Sequence, residues 1–99
     1  MKYDISNLNK AFDSRIRLGI MSILLVNDEV EFSELKDKLK LTDGNLASHI
    51  SALEKFMFIE VKKQFIGKKP NTSYKVTSLG RMAFDRHLNA LENLLKIRK

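Results

Sequence analysis

The chain has 99 residues, which suits one domain around a single hydrophobic core and leaves too little for a second. Its 43% apolar and 30% charged residues are typical of a globular protein, and the absence of cysteine excludes disulfides, thiolate metal sites and cysteine nucleophiles. The formal net charge of +6 favours a polyanionic partner if the positive excess is concentrated in one place.

The first predicted element is helical. Apolar residues recur at helical spacing over Phe12–Ile23, and Asp13 or Ser14 could begin a new helix there. The pattern therefore allows either one bent helix or two. The polar residues 27–29 end this region, and the brief alternation of residues 30–32 predicts a single short strand.

Two further helices are predicted in close succession. Ser33 has the chemistry of an N-cap for a short helix, and Thr42 for the next. In the second of these, Leu46, Ile50 and Leu53 fall on one face, which we expect to be buried. The opposite face is small and polar, which suits close approach to another macromolecule; it holds Gly44, Ser48, Ser51 and Lys55, flanked by Asn45 and Ala52.

The segment 58–77 predicts two strands joined by a turn at Gly67–Asn71. Phe65 and Tyr74 share parity with apolar strand positions, so we expect them to pack on the core. Between residues 62 and 77 there are five lysines and no acidic residue, a concentration that favours contact with a polyanion. The alternative is that the lysines protect exposed sheet edges from aggregation.

Thr77 is the expected cap of a final helix, which is more apolar than burial in so small a protomer requires. The segment before the first helix carries a second unmatched apolar face. Both faces could be covered by a second copy of the chain. The residues expected at such a dimer interface are Ile5, Leu8, Phe12, Phe84, Leu88, Leu91 and Leu95.

Six segments occur in one order: Arg15–Ile20, Phe32–Lys36, Thr42–Ile50, Leu53–Glu54, Lys68–Thr72 and Val76–Arg81. With them the chain resembles winged helix-turn-helix transcriptional regulators, in particular small MarR/ArsR-like forms. The resemblance implies one α+β domain over residues 1–99, with a three-helix core, a two-stranded β wing and an extra terminal helix for dimerisation. It places a recognition helix at about 42–56, the wing at about 58–77 and the dimerisation helix at about 78–97. It also implies a homodimeric regulator of transcription, often a repressor.

Double-stranded DNA is accordingly the expected partner. The N-terminus of the 42–56 helix offers free N–H groups for phosphate, Asn45 can pair with adenine, and lysines suit phosphates or the minor groove. His49 lies near the edge of the apolar face, so both a DNA contact and a structural role remain open. Asp43 is expected to cap the helix. The predicted DNA-binding residues are Thr42, Asn45, Ser48, His49, Ser51, Lys62, Lys63, Lys68 and Lys69.

Other functions are less well supported. No serine–histidine–acid spacing, glycine-rich phosphate loop or carboxylate pair suggests an enzyme, and no cofactor is expected. The Asp85-x-His87 pair is at most half a metal site, so no metal is expected. The alternative is a winged helix that binds protein or RNA, although no aromatic residue is obviously displayed for base stacking. The chain opens without a signal-peptide pattern and has no apolar run of roughly 18–20 residues, which predicts a cytoplasmic protein.

Overall fold

The computed structural model describes residues 3–97, apart from the side chain of Ile97. A sheet in the order β1-β3-β2, antiparallel throughout, stands beside four helices, which confirms the predicted α+β architecture. None of the helices within this range is both long and apolar enough to cross a membrane. The elements are a 3₁₀ turn (Lys10–Phe12), α1 (Arg15–Leu25), β1 (Val30–Glu31), α2 (Phe32–Leu39), α3 (Asp43–Lys55), β2 (Ile59–Ile66), β3 (Lys69–Val76) and α4 (Ser78–Ile97).

The first helical region is two elements, because the chain breaks at Ser14. Ser14 is extended, and its hydroxyl accepts the backbone N–H of Arg17 at 3.3 Å, which satisfies one donor at the start of α1. Before the break, the side chain of Asn9 accepts the N–H of Ala11 at 2.9 Å and begins the 3₁₀ turn. The sequence allows either one bent helix or two helices here, and the structure has two helical elements.

The predicted cap of α2 is wrong. The helix starts two residues earlier than a Ser33 cap would place it, at Phe32, with Glu31 at the N-cap position and no side-chain cap, so Ser33 lies within the first turn. The reason is that β1 runs directly into α2: Glu31 still pairs with Ser73 of β3. Phe32 packs against the core beside Tyr74, with ring centroids 6.5 Å apart, and this contact fixes where the helix begins.

One core joins the helices to the base of the sheet. Leu46, Ile50 and Leu53 are buried in it, which confirms the predicted inner face of α3. Phe12 stands at the centre, stacked on Phe58 at 5.5 Å and meeting other rings edge-on. Burying these side chains supplies the main driving force for folding, at roughly 25 cal/mol per Å² of apolar surface.

The base of the β2–β3 hairpin is fixed to the start of α4 by Thr77. Its hydroxyl accepts the N–H of Gly80 at 2.9 Å and donates to the carbonyl of Met57 at 2.7 Å, so the predicted cap is present. Gly80 leaves no room for a side chain, since an added Cβ would lie 2.1 Å from the carbonyl oxygen of Phe58. The close approach positions the hairpin relative to the helical core.

Candidate nucleic-acid interface

The outer face of α3 is open to solvent. Ser48 and Ser51 are exposed, as are Gly44 and Asn45 nearer the N-terminus of the helix. The opposite face supplies Leu46 and its neighbours to the core, so the helix is held firmly while a face of small polar side chains points outward. We name the exposed set Gly44, Asn45, Ser48 and Ser51 the α3 outer face.

The N-terminus of α3 is capped by Thr42, whose hydroxyl oxygen accepts the N–H of Asn45 at 3.2 Å. The expectation that Asp43 caps the helix is wrong. Asp43 is the first helical residue, and its carboxylate lies 2.9 Å from the ammonium of Lys36 on α2. The hydrogen bond to Asp43 raises the pKa of Lys36 above its ordinary value. The ion pair offsets a negative charge that would otherwise face an approaching phosphate.

His49 contacts α1, so the structure gives it the structural role that the sequence left open. Its Nδ1 lies 3.1 Å from Nη1 of Arg17, and Nε of Arg17 donates to the carbonyl of Ala11. Burial, and then the positive charge of Arg17, lower the pKa of His49 below its ordinary value of 6.5. The side chain is half-buried, which leaves part of the imidazole accessible. A DNA contact by His49 therefore remains a prediction.

The β2–β3 hairpin ends in a tight turn. Ile66 pairs with Lys69, and the two intervening residues are Gly67, with φ of +65°, and Lys68, with negative φ. Positive φ at the first central position alone is the geometry of a type II′ turn, which favours glycine there and suits the twist of a hairpin. The turn leaves Lys68 and Lys69 at the extreme end of the hairpin, both exposed.

Lys62 and Lys63 are both among the predicted DNA-binding residues, but their surroundings differ. They are consecutive in β2, so their side chains project to opposite faces of the ribbon. The ammonium of Lys62 lies 3.9 Å from the carboxylate of Glu29, which also accepts the hydroxyl of Ser73. Within residues 3–97, no carboxylate lies within 4.0 Å of the remaining three lysines of the outer hairpin. We call Lys63, Lys68 and Lys69 the wing lysines.

Phe65 is a correction in the hairpin. Both Phe65 and Tyr74 were expected to pack on the core; Tyr74 is 6% exposed, as expected, but Phe65 is 74% exposed. Parity is correct, since both residues lie on the face that begins with buried Ile59. The ribbon, however, extends beyond the core, and at Phe65 the cross-strand neighbour is Pro70 rather than a buried residue. An aromatic ring is thus displayed beside the wing lysines, which the sequence interpretation missed.

Residues 16–95 match the model of a family described as a winged helix DNA-binding domain. The chain belongs to this winged helix family. An uncharacterized protein of Methanocaldococcus jannaschii is 40% identical over 87 residues, which are 88% of this chain and 95% of that protein. A solved structure described as a transcriptional regulator homologue from Pyrococcus horikoshii OT3 is 34% identical with a TM-score of 0.75, and the match covers 88% of this chain and 91% of that one.

A more distant structure shows how widely the fold is shared. It is described as a transcriptional regulator of the MarR family from Enterococcus faecalis V583, with a TM-score of 0.67 over 96% of this chain and 86% of that chain. At 21% identity it shows the fold alone. The resemblance inferred from the sequence is confirmed: the protein is a winged helix DNA-binding regulator. We call its β2–β3 hairpin the wing.

Two of the residues predicted at a dimer interface belong to the core of the winged helix domain itself. Phe12 is 2% exposed and Phe84 5% exposed, and their rings meet edge-to-face at 5.0 Å. Almost no surface of either residue is left for a partner, because Phe84 of α4 packs on Phe12 of the 3₁₀ turn. The other predicted residues keep accessible surface: Leu8 is half-buried, and Ile5, Leu88, Leu91 and Leu95 are exposed.

His87, of the Asp85-x-His87 pair, also makes its contacts within the protomer. It is buried, and its Nδ1 accepts the backbone N–H of Asn9 at 3.0 Å. That bond fastens the N-terminal segment to α4. No group of three side chains able to hold a metal ion occurs in residues 3–97.

Proposed function

We propose that this winged helix protein is a sequence-specific, double-stranded DNA-binding repressor that acts as a homodimer. The observation that carries the proposal is the α3 outer face: small, polar, exposed, and mounted on a helix whose other face is wholly buried. A helix of this kind can enter a major groove without long side chains that hold the backbone away.

The α3 outer face would read the DNA. Asn45 offers a side-chain amide that can pair bidentately with adenine, and the hydroxyls of Ser48 and Ser51 can meet bases or phosphates. The unpaired N–H groups of the first turn and the helix dipole favour a phosphate at the N-terminus. The hydroxyl oxygen of Thr42 accepts the hydrogen bond that caps the helix. Its hydroxyl proton could still be donated to a phosphate oxygen.

The wing lysines would bind the DNA backbone. Each is a flexible ammonium on an exposed strand or turn, so each can follow a phosphate without fixing a base. Lys62 is left out of this set because Glu29 already lies beside it. Contacts of this kind strengthen binding to all sequences and make the affinity depend on salt.

A homodimer would cover the exposed leucines of α4 together with Ile5. Two recognition helices in a two-fold dimer fit major-groove segments roughly 34–36 Å apart, which predicts a palindromic or nearly palindromic operator. Occupying such a site at a promoter would exclude other proteins, and this is the basis for proposing repression.

Selection of duplexes from a random pool, followed by affinity measurements on single base-pair changes, tests the DNA proposal. Asn45→Ala should lose about 1–3 kcal/mol of discrimination at one base pair of each half-site. Asn89→Ala, which removes the same amide from an exposed position on α4, is the matched control and should bind as the wild type does. Failure of the wild type to select any duplex sequence would contradict the proposal.

Sedimentation velocity at micromolar concentration tests the dimer. The wild type should sediment as a dimer, and Leu88→Glu with Leu91→Glu should sediment as a monomer, because two carboxylates would be buried without partners. Asn89→Glu with Asn93→Glu puts the same two charges on neighbouring exposed positions of α4 and should remain dimeric. A monomeric wild type would refute the dimer.

A second candidate function is binding of single-stranded RNA by the wing. The exposed ring of Phe65 beside the wing lysines favours it, since stacking on an aromatic ring contributes about 1–3 kcal/mol per base. Phe65→Ala should then weaken binding to an unstructured oligonucleotide and leave duplex binding unchanged. Equal affinity of the wild type and Phe65→Ala for the oligonucleotide would remove this candidate.

A further inference from the structure

A single arginine connects the N-terminal segment of the protein to the middle of α3. Arg17 lies in the first turn of α1, its Nε donates to the carbonyl of buried Ala11, and its Nη1 lies 3.1 Å from Nδ1 of His49. The guanidinium is thereby held at two points. His49 is the one side chain of α3, among the residues predicted to touch DNA, that the structure shows bonded to another helix.

The chemistry of this contact fixes where the imidazole carries its proton. A guanidinium is always protonated and has no acceptor, so the Arg17–His49 hydrogen bond requires Nδ1 to be the acceptor. A neutral imidazole with a bare Nδ1 carries its proton on Nε2. The adjacent positive charge also opposes a second proton on the ring. The remaining nitrogen can therefore donate a hydrogen bond and cannot accept one.

His49 also stands beside the residue proposed to read the DNA. It follows Asn45 by four positions, so the two side chains are neighbours on the same flank of α3. Since Nδ1 is engaged with Arg17 on α1, Nε2 is the nitrogen left to make a contact from this half-buried residue.

We infer that Arg17 is a positioning residue that makes His49 a donor-only contact, which recognises a hydrogen-bond acceptor on DNA from Nε2. The acceptors available in the major groove are N7 and O6 of guanine, N7 of adenine and O4 of thymine, besides phosphate oxygens. The amino groups of cytosine and adenine are donors, and His49 would reject them. This inference rests on the proposed function, because it says which partner is the donor in one hydrogen bond between the same α3 surface and DNA.

The tautomer can be measured in the free protein by long-range ¹H–¹⁵N correlation spectra of the imidazole rings at neutral pH. His49→Gln identifies which signals belong to His49 rather than to His87. The wild type should show His49 protonated on Nε2. Arg17→Met, which removes the donor, should populate both tautomers, and Arg17→Lys, which restores a donor, should recover the single form. Arg15→Met is the matched control on the same helix and should leave the spectrum unchanged.

The contact is then tested with a duplex that the wild type selects from a random pool. Acceptors are deleted one at a time: 7-deazapurines remove N7, 2-aminopurine removes O6 of guanine, 5-methyl-2-pyrimidinone removes O4 of thymine, and methylphosphonates replace a phosphate oxygen. One deletion in each half-site should weaken wild-type binding about 2- to 10-fold, the range of a single hydrogen bond. The same deletion should have no effect on His49→Ala, and Arg17→Met should show a reduced effect.

The outcomes separate the inference from the proposed function. If no duplex is selected, the proposed function fails and the inference fails with it. If a duplex is selected but His49 is protonated on Nδ1, the inference is wrong and the proposed function stands. The inference is also wrong, with the proposed function intact, if a duplex is selected and no acceptor deletion depends on His49.

Discussion

Helix α3 and the tip of the wing differ in how the rest of the molecule holds them. Helix α3 buries one face, is capped by Thr42, and is tied to α1 and α2 through His49 and Asp43. The wing is exposed at every position from 60 to 70, and pairing between its own two strands holds its tip. The first region suits contacts that require fixed geometry, and the second suits contacts that only require charge.

This difference in support indicates which surface should supply specificity. A base is recognised by hydrogen bonds of fixed direction, which need a rigid support, whereas a phosphate attracts an ammonium from many directions. We therefore expect changes in α3 to alter which sequence is bound, and changes in the wing to alter how strongly every sequence is bound.

The largest expected effect is on the free energy of unfolding, and removing an apolar side chain should change it in α3 far more than in the wing. Leu53→Ala should lower the free energy of unfolding by about 2–5 kcal/mol, because Leu53 is fully buried in the core. Phe65→Ala should change it by about 0.5 kcal/mol or less, since the ring is mostly exposed. Urea unfolding measures both. A loss at Phe65 comparable to that at Leu53 would mean that the wing tip is packed in solution.

Two glycines give a matched pair with a smaller effect. An added Cβ at Gly44 in α3 or at Gly67 in the wing would meet no atom within 4 Å, so space does not distinguish them. Gly67 has φ of +65°, and Gly67→Ala should cost about 1–2 kcal/mol. Gly44→Ala lies in a helix and should stabilise the protein by about 0.5–1 kcal/mol. Thermal unfolding of the two variants should move in opposite directions, and shifts of the same sign would contradict the turn assignment.

Charge at the wing should act on DNA affinity rather than on folding. Lys68→Ala with Lys69→Ala should weaken binding to all duplexes alike and flatten the slope of log affinity against log salt by about two units. The control is Lys62→Ala with Lys75→Ala, which removes the same charge from lysines already beside Glu29 and Glu60. Titrations at several salt concentrations compare them. An equal loss of slope in the control would show that position in the hairpin does not matter.

The smallest expected effect is the pH dependence that His49 gives to folding. Because its pKa is lowered in the folded protein, the unfolded chain takes up the proton first as the pH falls. The stability contribution of neutral His49 is complete above pH 6.5 and is lost progressively below it, down to the lowered pKa. Urea unfolding at a series of pH values should show this component in the wild type and not in His49→Gln. Parallel curves for the two proteins would contradict it.

The comparison between the two regions also shows what the sequence could predict. The inner face of α3 was predictable because burial imposes a helical period on Leu46, Ile50 and Leu53. The two strands of the wing were predictable from alternation, but the turn is Gly67–Lys68 and not the expected Gly67–Asn71, because residues 69–71 already pair with β2. Parity, moreover, says only which face a residue lies on. It does not say where the core ends, and for that reason Phe65 was assigned to the interior.

Contacts between elements were the other part that the sequence could not provide. Whether a lysine forms an ion pair depends on which carboxylate the fold places beside it. The fold places Glu29 beside Lys62 across β3. The Arg17–His49 bond and the burial of Phe12 against Phe84 likewise join residues far apart in the chain. Apolar composition alone could not show that Leu88, Leu91 and Leu95 of α4 are exposed whereas Phe84 is buried.

The central claim, that the α3 outer face and the wing lysines meet one side of the same duplex, is tested most directly by tethered cleavage. The chain has no cysteine, so Ser51→Cys and Lys68→Cys can each carry a single iron chelate that cuts nearby DNA, with Asn93→Cys on α4 as the control. We predict cuts from both of the first two positions within each half-site of a selected duplex, a few base pairs apart, and little cutting from the control. Cutting from Ser51→Cys without cutting from Lys68→Cys, or the reverse, would contradict the claim.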